Sequence, residues 1–416
     1  MKKIKKLPFK LIHLTYFILF SVSFLFLVIL FKFSIIDINK TKIKTFVNEF
    51  KSKPIETTNK NTIQKINTST QTLLVTELNK NFDHIEIYKE SSDEINLIAL
   101  KGNDVTNAMK RIPLEVFDIN INIKDKTFSE KLIFTEENNY RATDILVLDS
   151  KKIFISQVED NQKDQIRLIA YELVKNNGIY TRKFIYESQF ASPPTAVHTT
   201  GGKMIEIDNN KILLSVGTFL KNNQVNDDYD FGKMIMIDLA TKMKFIYSSG
   251  HRNSQGLSIS KINSQIIQTE HGPQGGDEIN IIIEGENYGW PYETYGVPYN
   301  SNPESINWNY GGVEYGKHDK FRKPVYAFVP SIGIKAIEQL PLNQYEFPKW
   351  DNNYLLCSTR GLFLVRFVGL NDNRDPRVVL TEWVGDGCRD IKITSKGVII
   401  TNDIRIIERE KDFERG

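Results

Sequence analysis

The chain has 416 residues, 40% of them hydrophobic and 25% charged, with a formal net charge of +3. These proportions are those of a globular protein with a sizeable core. The scattered lysines, with no long basic run beyond the N-terminus, give no footprint for nucleic acid. Two cysteines, Cys357 and Cys388, exclude a disulfide scaffold; they read as separate buried thiols, with pairing left open.

In chain order, Lys2, Lys3, Lys5, Lys6 and Lys10 precede a nearly unbroken apolar run at 11–31. Such a run is long enough to cross a bilayer core of about 30 Å as a helix. The lysines before it favour a cytoplasmic N-terminus and place the rest of the chain outside. The run ends in Phe31-Lys32-Phe33-Ser34, without the small residues of a cleavage site, which points to a retained anchor. Residues 1–36 are therefore expected to be a cytoplasmic tail and transmembrane helix in the inner, cytoplasmic membrane, with the globular part in the periplasm or outside. Residues 37–72 are rich in Lys, Asn, Thr and Ser and read as a polar stem or linker.

From 73 to 416 short runs of Ile, Val, Leu, Phe and Tyr alternate with Asn, Asp, Gly and Lys clusters. Asp144-Ile145-Leu146-Val147-Leu148 and Lys152-Ile153-Phe154-Ile155-Ser156 are typical. Evenly spaced short strands without long helical periodicity predict an all-β domain, a large sandwich or a propeller. A layout of loop, strand, polar turn and strand recurs at 198–216, 253–269 and 389–401, as radially repeated four-stranded blades require.

Two loops stand out chemically. Gly250-His251-Arg252-Asn253-Ser254-Gln255-Gly256 places an imidazole, a guanidinium and amides side by side at the entry of a strand. The next, Glu270-His271-Gly272-Pro273-Gln274-Gly275-Gly276-Asp277-Glu278, is a loop whose glycines and proline permit inward carbonyls. Asp277 and Glu278 add the hard oxygens that calcium prefers, although acidic glycine loops are often only solvated turns.

The succession GHRNSQG, EHGPQGGDEIN and Asn287-Tyr288-Gly289-Trp290-Pro291 resembles the glucose/sorbosone dehydrogenase family, in particular its PQQ-dependent aldose sugar dehydrogenases. The likeness covers 144–407 and is densest at 250–291. It implies a six-bladed β-propeller, PQQ and Ca²⁺ as cofactors, and a sugar or alcohol substrate. By position, Arg252 and Asn253 match residues at the quinone end of PQQ. The carbonyls of Gly272 and Pro273 match those holding the calcium that bridges to it, and Glu278 with the backbone of Tyr288 matches a second calcium site. His198, in His-x-x-Gly-Gly, matches the general base. Arg360 and Arg389 match cations that meet PQQ. Trp290 and Tyr295, with Tyr292 and Trp308, are candidates for a sugar platform, blade packing being the equal alternative.

The pattern also departs from the family. Val197 replaces a polar residue before the histidine, and Thr218 an aspartate. Gly387 replaces one of two arginines, Arg360 replaces a lysine, and Ser331-Ile332-Gly333-Ile334-Lys335 departs from a Ser-Ile-Ala-Pro-Ser-like segment. Lys335 is a conjectured substitute for the lost charge. Two functions follow: a membrane-anchored sugar dehydrogenase in which His198 takes the proton and PQQ with calcium the hydride, or a catalytically degenerate, calcium-stabilised propeller that binds carbohydrate or protein.

Overall fold

The computed structural model describes residues 57–409, except 59–60, 68–71, 79–80, 104–109, 149–151, 162, 164, 192–193, 209, 221–227, 300–306, 361–363, 371–376 and 382–387. Among the described residues no helix is long and apolar enough to cross a membrane. The apolar run at 11–31 and Gly387 lie outside them.

Strand content is organised into six antiparallel sheets that follow one another along the chain. Blade 1 is His84–Glu90, Glu94–Lys101, Leu114–Asn122 and Thr127–Glu136, and blade 2 is Arg141–Leu148, Lys152–Asp160, Ile166–Asn176 and Ile179–Glu187. Blade 3 is Gly201–Asp208, Lys211–Val216, Lys233–Asp238 and Lys244–Ser249. Blade 4 is Ser254–Ile259, Ile266–Glu270, Asp277–Ile282 and Tyr326–Phe328, the last reached across a long insertion that holds the parallel pair Glu293–Thr294 and Glu314–Tyr315. Blade 5 is Ile334–Gln339, Tyr354–Ser358, Leu364–Val368 and Arg377–Thr381. Blade 6 joins both ends of the chain: Ile391–Ile393, Ile399–Thr401 and Arg405–Arg409 continue into Thr72–Glu77, with Arg405 opposite Glu77 and Ile407 opposite Val75. The first strand of each blade touches that of the next, and the sixth touches the first, which closes the ring. This is the expected six-bladed propeller.

The packing explains why these strands read as continuous apolar runs. Each buried cluster lies between two neighbouring blades, so a strand has a covered face on either side. In Lys152–Asp160, Ile153 and Ile155 pack towards blade 1 while Phe154 and Val158 pack towards blade 3. The period of two thus distributes one strand between two interfaces.

Two expectations change. Asn61–Asn67, within the segment read as stem, pairs along its length with Thr72–Glu77, and Thr57–Thr58 adds to its outer side. An outermost strand needs only backbone partners, so its polar composition concealed it. Cys357 and Cys388 form a disulfide with Cα atoms 5.1 Å apart, rather than remaining separate thiols. The bond ties the second strand of blade 5 to the entry of blade 6.

Candidate active site

The ring of first strands brings single residues from distant parts of the chain to one axis. His84, Asp144 and Asp390, from blades 1, 2 and 6, place ligand-type atoms within 4.8 Å of one another. The ammonium of Lys203 from blade 3 already satisfies this group, 2.9 Å from Asp144 Oδ1 and 3.1 Å from His84 Nδ1. Burial, followed by the Lys203 charge, lowers the His84 pKa, so its ring is neutral and Nδ1 accepts from the ammonium. Two residues beyond Asp390 and His84, Lys392 lies between Glu86 (2.6 Å) and, from blade 5, Glu338 (3.6 Å). The axis is therefore crossed by charge pairs.

Beside this cluster is a cavity of about 270 Å³, near the small end of the roughly 300–1,000 Å³ range usual for small-molecule sites. Its lining includes His198, Asn253, Arg141, Lys203, Lys335 and Arg389, and among the described lining residues there is no carboxylate. His198 is exposed, at the end of the 3-10 turn Pro194–Thr199. Its pKa is lowered by partial burial, then by the charges of Arg141 and Lys335, which keeps the imidazole neutral at pH 7 and able to accept a proton. Asn253 fixes that turn by donating from Nδ2 to the His198 carbonyl at 3.0 Å, and its Oδ1 accepts from the Gly201 amide at 3.3 Å. The two sequence motifs around His198 and Arg252 are thus physically joined.

The Arg252 loop and the Glu270 loop are held by buried carboxylates. Glu270 accepts from the Arg252 amide and Gln268, and lies 3.2 Å from His251 Nδ1. Asp277 accepts from the amides of Gly272 (3.2 Å), Gly333 (2.8 Å) and Ile334 (3.1 Å). Its oxygens thus organise the backbone of both the Glu270 loop and the entry of blade 5. Gly276 has φ +75° and its missing Cβ would lie 2.5 Å from the Gly296 amide, so this position admits no side chain.

Arg252 is buried, with its guanidinium donating to the carbonyls of His271 (2.9 Å) and Gly272 (2.8 Å). It sits 5.3 Å from the Trp290 ring and 5.9 Å from the Tyr299 ring. The carbonyl expected to meet calcium is thus directed at a cation, and that cation is Arg252. Pro273 is buried in the same loop. Glu278 is buried opposite Glu270, and burial with that neighbouring carboxylate pushes its pKa up to about 8, a site short of positive charge. The Tyr288 carbonyl accepts from His318 Nε2 at 2.9 Å.

The remaining expected residues divide. Arg389 lines the cavity and pairs with Asp83 at 3.3 Å. Arg360 is exposed and its neighbour Thr359, not Arg360, lines the cavity. Trp290 supports Arg252 and Tyr295 stacks on His318, ring centroids 5.6 Å apart; neither lines the cavity. Val197 is fully buried in the core between blades 2 and 3, and Thr218 donates its amide to the Arg252 carbonyl. Sequence reasoning missed Arg141, Lys203, His84 and Tyr299. Only Lys203 carried a signal, as the cation directly after Gly201-Gly202.

Comparison with known proteins bears on the fold and the family. The chain is 31% identical over 159 residues to the aldose sugar dehydrogenase YliI of Escherichia coli (strain K12), a match spanning 38% of this chain and 35% of that protein. The apo form of the soluble aldose sugar dehydrogenase from Escherichia coli superimposes with a TM-score of 0.62 at 17% identity, covering 82% of this chain and 100% of that one. The PQQ-bound form of aldose sugar dehydrogenase from Streptomyces coelicolor does so with a TM-score of 0.54 at 15% identity, covering 86% of this chain and 100% of that one. These two likenesses establish the fold. The family model described as Glucose / Sorbosone dehydrogenase matches residues 147–405, and the chain belongs to that family.

Proposed function

We propose that the protein is a membrane-anchored quinoprotein dehydrogenase that oxidises the anomeric or primary hydroxyl of an aldose-like sugar. The observation that carries this reading is a cationic cavity, without a carboxylate among its described lining residues, beside an accessible, neutral His198. A tricarboxylate such as PQQ fits a wall made of Arg141, Lys203, Lys335 and Arg389. When bound, PQQ supplies a hydride acceptor and calcium a Lewis acid.

The chain's own residues account for the rest. His198 takes the hydroxyl proton, and Asn253 holds the turn that presents it. Arg252, fixed by two carbonyls and two aromatic rings, contributes a preorganised positive charge for developing negative charge. Calcium at the Gly272 and Pro273 carbonyls requires Arg252 Nη1 to release Gly272. The buried acid of Glu278 suits a second calcium, and the Tyr288 carbonyl, which already accepts from His318, has a second lone pair to offer it.

The names of the aldose sugar dehydrogenases it resembles support the substrate class. The N-terminal lysines and apolar run support the anchor, with the propeller on the periplasmic or outer side; protease accessibility of the propeller in intact and opened cells tests this. Full-length protein in detergent, supplied with PQQ and Ca²⁺, is expected to reduce an artificial electron acceptor with at least one member of an aldose panel. Bound PQQ without turnover on aldoses or alcohols would reject the enzyme. The second reading, a calcium-stabilised binding propeller, is favoured by Val197 lying in the core instead of at the cavity. It expects calcium-dependent melting and no response to PQQ.

A further inference from the structure

The cations of the cavity differ in how they are neutralised. Lys203 is paired with Asp144, and Arg389 with Asp83. Arg141, from the first strand of blade 2, donates only to the Val197 carbonyl, at 3.3 Å. Lys335, from the first strand of blade 5, donates from Nζ to Gln255 Oε1. Among the described residues neither is paired with a carboxylate. Two such cations in one half-enclosed wall repel each other and the two that are paired. Burial, then the charges of Arg141, Arg389 and Lys203, lowers the Lys335 pKa well below its ordinary value. Asp83 near Arg141 and Asp277 near Lys335 offset part of this, but the direct hydrogen bond of each cation goes to a neutral oxygen, which does not replace the water lost on burial. A carboxylate-rich anion reverses that balance.

We propose that Lys335 and Arg141 are a ligand-binding cation pair for the carboxylates of an anionic cofactor, supplying the charge that this chain lacks at Gly387. The pair comes from blades 2 and 5 and shares its cavity wall with Arg389 of blade 6, whose carbonyl accepts from the Ala336 amide at 3.4 Å. The proposal rests on the cofactor reading above, but it concerns charge and so extends to any compact polycarboxylate.

The test is a titration of the full chain in detergent with PQQ, followed by quenching of protein fluorescence, at low and at moderate salt. Lys335→Gln and Arg141→Gln are each expected to bind at least about tenfold more weakly, with a shallower salt dependence, and Lys335→Arg to recover most of the affinity. Because an unpaired buried cation is removed, Lys335→Gln is also expected to melt no lower than the wild type without ligand. Equal affinity of the wild type and both Gln variants would overturn the pair. So would a lower ligand-free melting temperature in Lys335→Gln, which would make the amine a structural strut. Benzene-1,3,5-tricarboxylate serves as a second probe. If it raises the melting temperature of the wild type but not of the variants while PQQ does not bind, the cation pair stands and the PQQ reading falls. If neither anion binds, both fall.

Discussion

The two halves of the site are built in opposite ways. On blade 4, the Arg252 and Glu270 loops lie within one antiparallel sheet and are cross-linked by buried carboxylates: Glu270 to the Arg252 amide, and Asp277 to three further amides. The cationic wall has no such local organisation. Arg141, Lys203, Lys335 and Arg389 come from four blades, and only the closure of the ring brings them together. Blade 4 is a region whose charges serve the backbone. The wall is a region whose charges face the cavity: Lys203 and Arg389 are paired with carboxylates, while Arg141 and Lys335 donate to neutral oxygens.

That contrast predicts different outcomes for substitutions in and around the two regions. The largest effect is expected at His198, which sits between them: His198→Ala should lower kcat by about 10²–10⁴-fold with little change in melting temperature. Full activity in that variant would remove His198 as the base. Next, Asp277→Ala leaves the buried amide of Ile334 and the partly buried amides of Gly272 and Gly333 without their acceptor and should cost about 3 kcal/mol of stability, read by denaturant unfolding. A loss as large on removing the Lys335 charge would erase the distinction between the regions.

A smaller effect is expected at Glu278. Its pKa is raised from 4.5 to about 8 in the folded protein, so the folded state binds the proton more tightly than the unfolded chain. Stability is therefore retained below pH 4.5 and lost as pH rises towards about 8. Glu278→Gln should raise the melting temperature of calcium-free protein at alkaline pH and leave it unchanged in acid. Saturating calcium should cancel the difference if Glu278 is a ligand. The smallest effect concerns the acid limb of activity. Because partial burial, Arg141 and Lys335 lower the His198 pKa, the rate should fall only below the ordinary histidine range, and Arg141→Gln should move that limb to higher pH.

The same contrast explains what was legible in the sequence. GHRNSQG and EHGPQGGDEIN are contiguous because their residues must share one sheet, so a linear reading finds them and the propeller with them. Arg141 and Lys335 are single cations at the starts of strands, distinguishable from solvated lysines and arginines only once six first strands form a ring. Asp277 illustrates a subtler limit: an acid in a glycine-rich loop suggests a metal, and its role as acceptor for backbone amides 56 and 57 residues away is visible only in the fold. Asn61–Asn67 was hidden for the opposite reason, since an outer strand is specified by pairing and needs no apolar face. The Cys357–Cys388 disulfide depends on the approach of blades 5 and 6, which spacing along the chain does not reveal.

The most direct test of the central claim is the melting temperature of the full chain titrated with PQQ in the presence of Ca²⁺. The site described here predicts saturable stabilisation, about 2.7 kcal/mol when PQQ is at a hundred times its Kd. An unchanged melting temperature at every PQQ concentration would contradict it, leaving the propeller without the cofactor that its cationic wall is read to hold.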